Sequence, residues 1–313
     1  MSDVSDLSAD AIRAATGVID PVFRDTPQLA DEQLSAALGR YLVVKVETLT
    51  PVGSFKGRGA SVLVRELDAQ ATWVLETAGN FGQAIAYLAR QRGTRGEIFV
   101  SPEVPPVKVA RMRALGAVVE VCAEPAAAAA EAAAREGHAL VVDGQSPAMA
   151  EGAGTIGLEL AAVDPFDTVV VQVGDGALAA GVACAVKSVY PATRVVGVCA
   201  SGAPSMAESF SSRRAMQVEG AGTIATALAI TDPLPEALAR LLVYVDEIVV
   251  VDDDDLRQAM RLIADTLGLL VEPAGAAGIA ALARRRERID GDRIAAILTG
   301  SAGHPSFGEV VVT

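Results

Sequence analysis

The chain has 313 residues, with 26 Lys and Arg against 39 Asp and Glu and a formal net charge of −13. So acidic a balance offers no electrostatic footprint for nucleic acid or for anionic membranes. Apolar residues make up 51% of the sequence, which excludes an intrinsically disordered chain. The three cysteines, Cys122, Cys184 and Cys199, sit in apolar runs with neither a disulfide framework nor zinc spacing. Residues 1–31 carry acids and no cationic, apolar leader. The most apolar stretch, Val169 to Val186, is interrupted by Asp175 and several glycines and is too short to span a bilayer. The expectation is a cytoplasmic protein.

In chain order, short β-type runs alternate with helical stripes. Trp73-Val74-Leu75 precedes Phe81, Ala84, Ile85 and Leu88, which recur at helical spacing. Ile98-Phe99-Val100 predicts a buried strand, and Pro105 and Pro106 open a helix from about 107 to 115. Val118 to Val121 predicts the next strand. The Ala-rich segment from Pro125 to Arg135 reads as helix, because Ala has the best helix propensity. Ala139 to Val142 closes the unit. A second series starts after Asp143, with helices over about 150–162 and from about 177 to 187 and strands at 169–171, 195–198, 248–251 and 294–298. Asp252 to Asp255 reads as the capped start of a helix, where carboxylates suit the positive end of the dipole. Residues 202–235 are the least regular and read as a loop-rich flank of the site. Alternation of this kind predicts an α/β protein with mostly parallel sheets covered on both faces.

Three glycine-bearing junctions sit where a strand or loop should feed a helix. In the first, Pro51 to Ala60, Ser54 is placed as the N-cap and Lys56 in the first helical turn. The positive end of a helix disfavours an ammonium, and a neutral amine is what a Schiff-base nucleophile requires. Taken alone, a lysine there reads first as a solvated surface residue. The second, Thr77-Ala78-Gly79-Asn80-Phe81-Gly82, follows a strand and offers backbone N–H groups to a carboxylate or phosphate, or is an ordinary turn. The third, Gly174-Asp175-Gly176-Ala177-Leu178, lets an anion approach the backbone but lacks the ending of a nucleotide P-loop. A reactive lysine and two anion cradles are together the parts of a pyridoxal-phosphate site.

The motifs from Gly53 to Ala60, Thr77 to Gln83, Gly174 to Leu178, Val271 to Gly278 and Leu298-Thr299-Gly300 occur in one order along the chain. In this order the sequence resembles the fold type II (β-family) pyridoxal-phosphate enzymes, which include threonine dehydratase, serine racemase, threonine synthase and cysteine synthase. The Ser54-Phe55-Lys56 and Glu272-Pro273 segments look most like threonine/serine dehydratases. The resemblance implies pyridoxal 5′-phosphate held covalently by Lys56, with Phe55 packed against its ring and Asn80 on its 3′ oxygen. It implies Gly174, Asp175, Gly176, Ala177 and Leu178 around the phosphate and Thr299 at the pyridine nitrogen. Ser54, Thr77, Ala78, Gly79 and Asn80 are implied for the substrate carboxylate. Glu272 is read two ways, as a group near substrate or ring and as a structural hydrogen-bond partner. A hydroxyl at the ring nitrogen implies a neutral ring and prompt loss of a β substituent.

Some residues depart from the family pattern. Asp175 stands where relatives often carry Gly, and its side chain is expected to turn away from the phosphate. Phe81 replaces a common His. The stretch Cys199 to Ser205 lacks the carboxylates of the serine-racemase metal site, so no metal is expected. His304 and His138 read as surface residues.

The implied reaction is β-elimination from L-threonine or L-serine, giving a 2-oxo acid and ammonia. The alternatives are β-replacement by a synthase of the same fold, which the 305–309 segment suggests, racemisation, and a catalytically silent binding protein. The expected architecture is two α/β lobes. Residues 48–144 form the smaller, mobile lobe that holds the substrate carboxylate, and 1–47 with 145–313 form the larger cofactor-binding lobe. An amino acid is the expected partner, and a homodimer the expected assembly.

Overall fold

The computed structural model describes residues 6–77, 79–144 and 146–302. Among the described residues, ten strands form two sheets. In chain order they are β1 (Gln28–Ala30), β2 (Tyr41–Val46), β3 (Thr72–Glu76), β4 (Gly96–Val100), β5 (Val118–Val121), β6 (His138–Leu140), β7 (Thr168–Gln172), β8 (Arg194–Ala200), β9 (Glu247–Val251) and β10 (Arg293–Leu298). The smaller sheet has the order β5-β4-β3-β6 and is parallel throughout. The larger has the order β1-β2-β10-β7-β8-β9 and is parallel except for β1, which pairs antiparallel with β2.

The apolar runs at 73–75, 98–100, 118–121, 169–171, 195–198, 248–251 and 294–298 all lie in strands, and the last run of the first series is strand over His138–Leu140. Their continuity has a physical cause. Val43, Val169 and Val171 pack on one face of the larger sheet, while Leu42, Val44 and Val170 pack on the other. Both faces are covered by helices, so neither half of the alternation is polar. Strands β1 and β2 are additions to the sequence-based expectation. The run at Tyr41–Val46 contains Lys45, and its polarity is explained only by a buried partner described below.

The predicted helices are present as Asn80–Arg92, Pro106–Ala114, Pro125–Ala133, Ala148–Ala161 and Ala177–Val189. The acidic run also behaves as expected. Asp252 caps the helix Asp253–Leu267 by accepting from the Asp255 amide at 2.8 Å, and the Asp255 carboxylate accepts from the Asp252 amide at 3.4 Å. The helix Lys56–Leu63 packs on Ala148–Ala161 at very short range. A Cβ on Gly59 would stand 2.8 Å from the Met149 carbonyl oxygen, so only glycine permits the approach.

The same helix is anchored by charge. Arg58, Glu47 and Lys45 are fully buried. Arg58 binds Glu47 in a fork, Nε to Oε2 at 2.9 Å and Nη2 to Oε1 at 2.9 Å, and also reaches Glu159 at 2.5 Å. Lys45 Nζ lies 2.5 Å from the other Glu159 oxygen, so two cations meet two anions. Removing one member leaves an uncompensated buried charge, which costs far more than a surface pair is worth. Arg58→Met should therefore lower stability by about 3–5 kcal/mol, read from the urea unfolding midpoint.

The network also makes stability depend on pH. Burial pushes the Glu159 carboxyl up, but its hydrogen bonds and charge contacts with Arg58 and then Lys45 prevail and hold it below its ordinary value. A group depressed in the folded state stabilises above its unfolded pKa, and that contribution is lost as pH falls through the folded value. Glu159→Gln should be less stable than the parent at neutral pH, and the gap should shrink as pH falls below about 4.5, measured by urea unfolding across an acid series.

Candidate active site

Lys56 begins its helix after a tight loop. Gly53 has φ 65° and its amide donates to the Thr50 carbonyl at 2.9 Å. The expected cap is corrected. Phe55 occupies the N-cap position, no side chain caps the helix, and the Ser54 hydroxyl is buried without a hydrogen-bond partner among the described residues. The loop is held instead by Thr50, whose hydroxyl accepts from the Ser54 amide at 3.2 Å, and by the Phe55 amide donating to the Thr299 carbonyl at 3.1 Å.

The Lys56 ammonium donates to Asp143 Oδ2 at 2.7 Å and to Asp175 Oδ2 at 3.1 Å. Asp143 follows β6 of the smaller sheet, and Asp175 follows β7 of the larger. The expectation of a neutral amine is therefore corrected for the unmodified lysine. Burial pushes the amine down, but the charges of Asp143 and then Asp175 outweigh it and hold the group above its ordinary value. The helix N-terminus is a weaker influence than two carboxylates in contact. The Phe55 ring lies beside the amine, with its centroid 5.4 Å away.

The turn at 174–178 enters the helix Ala177–Val189 through Gly176 at φ 94°. A Cβ on Gly174 would collide with the Ala227 carbonyl oxygen. Asp175 does not turn away, contrary to expectation. Its Oδ1 accepts from the Ala177 amide at 2.9 Å while Oδ2 faces Lys56. One amide at the helix start is thus taken by the protein's own carboxylate, which makes this turn a more acidic anion cradle than a glycine would.

In the loop at 77–80, the Thr77 hydroxyl accepts from the Gly79 amide at 3.0 Å and the Gly82 amide at 3.3 Å. Ala78 lies outside the described residues. Asn80 starts the helix Asn80–Arg92 and donates from Nδ2 to Glu272 Oε1 at 2.7 Å, and its Oδ1 accepts from Gln83 at 3.2 Å. The other Glu272 oxygen accepts from Lys108 Nζ at 2.8 Å.

These parts meet in one cavity of about 450 Å³. Phe55, Lys56, Thr77, Gly79, Asn80, Gly174, Asp175, Leu178, Glu272 and Thr299 line it. Gly176 and Ala177 belong to the same turn, and Ser54 is fully buried; none of the three is on the wall. The irregular 202–235 segment flanks the cavity through Met206, Ala227 and Asp232. Lys108, Asp143 and Gln172 also line it and were missed in the sequence. Lys108 had a signal, since it stands in the first turn of a proline-opened helix as Lys56 does in its own. Asp143 had a weaker one, at the carboxyl side of a predicted parallel strand, where ligands of such sheets lie. Gln172 had none.

His138 is half-buried and its Nδ1 lies 3.1 Å from the Glu136 carbonyl. His304 and the 305–309 segment lie outside the described residues. Among the described residues no three or more His, Cys, Asp or Glu gather as metal ligands, and no helix is long and apolar enough to cross a membrane.

The donor set fits pyridoxal phosphate in its main features. An amine opens into a cavity of the right size beside an aromatic ring, a hydroxyl-bearing residue lies on the same wall, and a glycine-bordered helix start faces inward. Asp175, inside the turn itself, works against a phosphate.

Comparisons with known proteins agree. The chain is 31% identical to the L-threonine ammonia-lyase of Thermotoga maritima over 302 residues, 94% of this chain and 75% of that protein. It is 32% identical to a serine racemase of Oryza sativa subsp. indica over 280 residues, 87% of this chain and 82% of that one. Among solved structures, a T.th. threonine deaminase superposes with a TM-score of 0.90 at 31% identity, covering 96% of this chain and 100% of that one. Residues 19–300 match the model of the pyridoxal-phosphate dependent enzyme family. With the match running through almost all of the chain, this protein belongs to the fold type II pyridoxal-phosphate dependent enzymes, and pyridoxal 5′-phosphate is its cofactor.

Proposed function

We propose that the protein catalyses β-elimination from L-serine or L-threonine, releasing a 2-oxo acid and ammonia. The observation that carries the reading is the place of Lys56, whose amine opens into the cavity between the 77–80 loop of one sheet and the 174–178 turn of the other. The likeness to proteins named threonine ammonia-lyase and threonine deaminase supports the choice of reaction. When bound, the cofactor supplies an electron sink for charge developing at the substrate Cα.

In this reading the chain's residues divide the remaining work. Phe55 packs beside the cofactor ring, Asn80 offers its amide to the ring oxygen, and Thr299 stands at the ring nitrogen. The 174–178 turn holds the phosphate. The 77–80 loop holds the substrate carboxylate and so aligns Cα with the cavity. Lys56 moves the Cα proton as general base. Glu272 takes both of its earlier readings together, because it lies on the cavity wall and fixes Asn80. We place residues 48–144 in a smaller lobe closing on a larger one, which would keep water from the reacting centre.

A second reading, amino-acid racemisation, is favoured by the serine racemase relatives. Chiral analysis of recovered serine separates the two. The holoenzyme should release 2-oxo acid steadily from L-serine or L-threonine with no second substrate. Lys56→Ala should abolish both turnover and the visible absorbance of the bound cofactor. Turnover that required an added nucleophile would point to β-replacement instead.

The acidic surroundings of Lys56 give a further expectation. Only the free amine can capture an aldehyde, and below the amine's raised pKa its fraction grows about tenfold per pH unit. The rate at which apoprotein takes up pyridoxal 5′-phosphate should rise with pH accordingly. Asp143→Asn removes the nearer anion, lowers the amine pKa and should speed uptake at neutral pH. Stopped-flow absorbance reads both effects.

A further inference from the structure

We infer that Asp143 is the general acid that protonates the departing β-hydroxyl, a catalytic role that rests on the elimination reading above. Two features of its geometry point there. Its Oδ2 is 2.7 Å from Lys56 Nζ, so it stands beside the group that takes the Cα proton. Its Oδ1 is buried and has no hydrogen-bond partner among the described residues, although the residue lines the cavity. A buried carboxylate oxygen with no donor is costly; the cost is relieved when that oxygen carries the proton itself and donates it to a ligand.

Burial and the neighbouring acids favour the protonated form of Asp143, against the pull of Lys56. Lys56 faces it from the helix Lys56–Leu63, Asp175 from the turn after β7, and Glu76 from the end of β3. Burial pushes the carboxyl up, Lys56 opposes that, and the negative charges of Asp175 and Glu76 add to it, leaving Asp143 above its ordinary value. Two carboxylates around one amine cannot both ionise freely once the amine is uncharged, so one of them then holds a proton. Asp175 is committed as an acceptor to the Ala177 amide, which leaves Asp143 as the holder.

The step balances without an outside acid. Lys56, as the free amine, removes the Cα proton, and the C–H electron pair becomes the Cα–Cβ double bond. The Cβ–O bond breaks with its electrons moving to oxygen, and the Asp143 proton converts the leaving group to water. Asp143 then regains a proton from the Lys56 ammonium at its side. The enamine so produced hydrolyses to 2-oxo acid and ammonia. Hydroxide is a poor leaving group, and a positioned acid contributes about 10²- to 10⁴-fold to such a step.

Leaving-group dependence tests the assignment. Chloride departs from β-chloro-L-alanine without a proton, so that substrate bypasses the acid. In the holoenzyme, Asp143→Asn should lower kcat/KM for L-serine by about 100-fold or more and for β-chloro-L-alanine by less than about tenfold. Turnover of the chloro substrate and retained cofactor absorbance would show the variant folded and loaded. On the unaltered holoenzyme, a solvent deuterium isotope effect with L-serine that is absent with β-chloro-L-alanine is the matching result, independent of how the variant folds. An equal loss on both substrates, or no loss on L-serine, would overturn the role of Asp143 while leaving elimination intact. Release of 2-oxo acid from neither substrate by the parent enzyme would remove the elimination reading itself.

Discussion

The amine of Lys56 lies between carboxylates from two different sheets, and the cavity takes its character from that contact. Asp143 comes from the end of the smaller sheet and Asp175 from the end of the larger, so one hydrogen-bonded group ties the two together at the site. The contact also sets the proton inventory. An ammonium flanked by two acids is stabilised; the same amine, once uncharged, leaves the acids competing for a proton. The charge state of this lysine is therefore a property of three residues from three separate segments.

Lys56 can hold that position because its helix cannot shift. Two residues on, Arg58 is locked to Glu47 and Glu159 in the interior, and Gly59 lets the helix lie almost on the backbone of Ala148–Ala161. Buried pairs of this kind add little net stability compared with an apolar core, but breaking one is expensive, so they fix one arrangement. The Lys56 to Ala60 segment thus joins the cavity lysine to the contacts that seat it. Glu272, at the start of the helix Pro273–Arg284, spans Asn80 and Lys108 and ties the start of the Asn80–Arg92 helix to that helix.

Much of this was legible in the sequence because local patterns carried it. Apolar runs marked the parallel strands, proline and aspartate marked helix starts, and the order of the motifs marked the family. The failures were also physical. Ser54 looked like a cap because a serine precedes the helix by two residues, yet Phe55 takes the cap position and the Thr50 hydroxyl serves the loop. For Asp175 the expectation, a side chain turned away from a phosphate, weighs only the repulsion between two anions. Its nearest charged partner is Lys56, 119 residues away in the chain, and attraction to that ammonium turns it inward. Strand β2 carries Lys45 in the sheet interior, where the Glu159 carboxylate and the Thr26 carbonyl, both distant in the chain, make the lysine compatible with burial.

By itself the sequence determined the α/β alternation and the cofactor class, and it singled out Lys56 as the candidate for the cofactor, since each strand run and each motif is built from residues close together in the chain. The tertiary structure alone decided which acids face Lys56, which lysine pairs with Glu272, and which side chains form the cavity wall. Those are contacts between segments far apart in the chain. Their charge states follow from burial and from neighbours that no local pattern specifies.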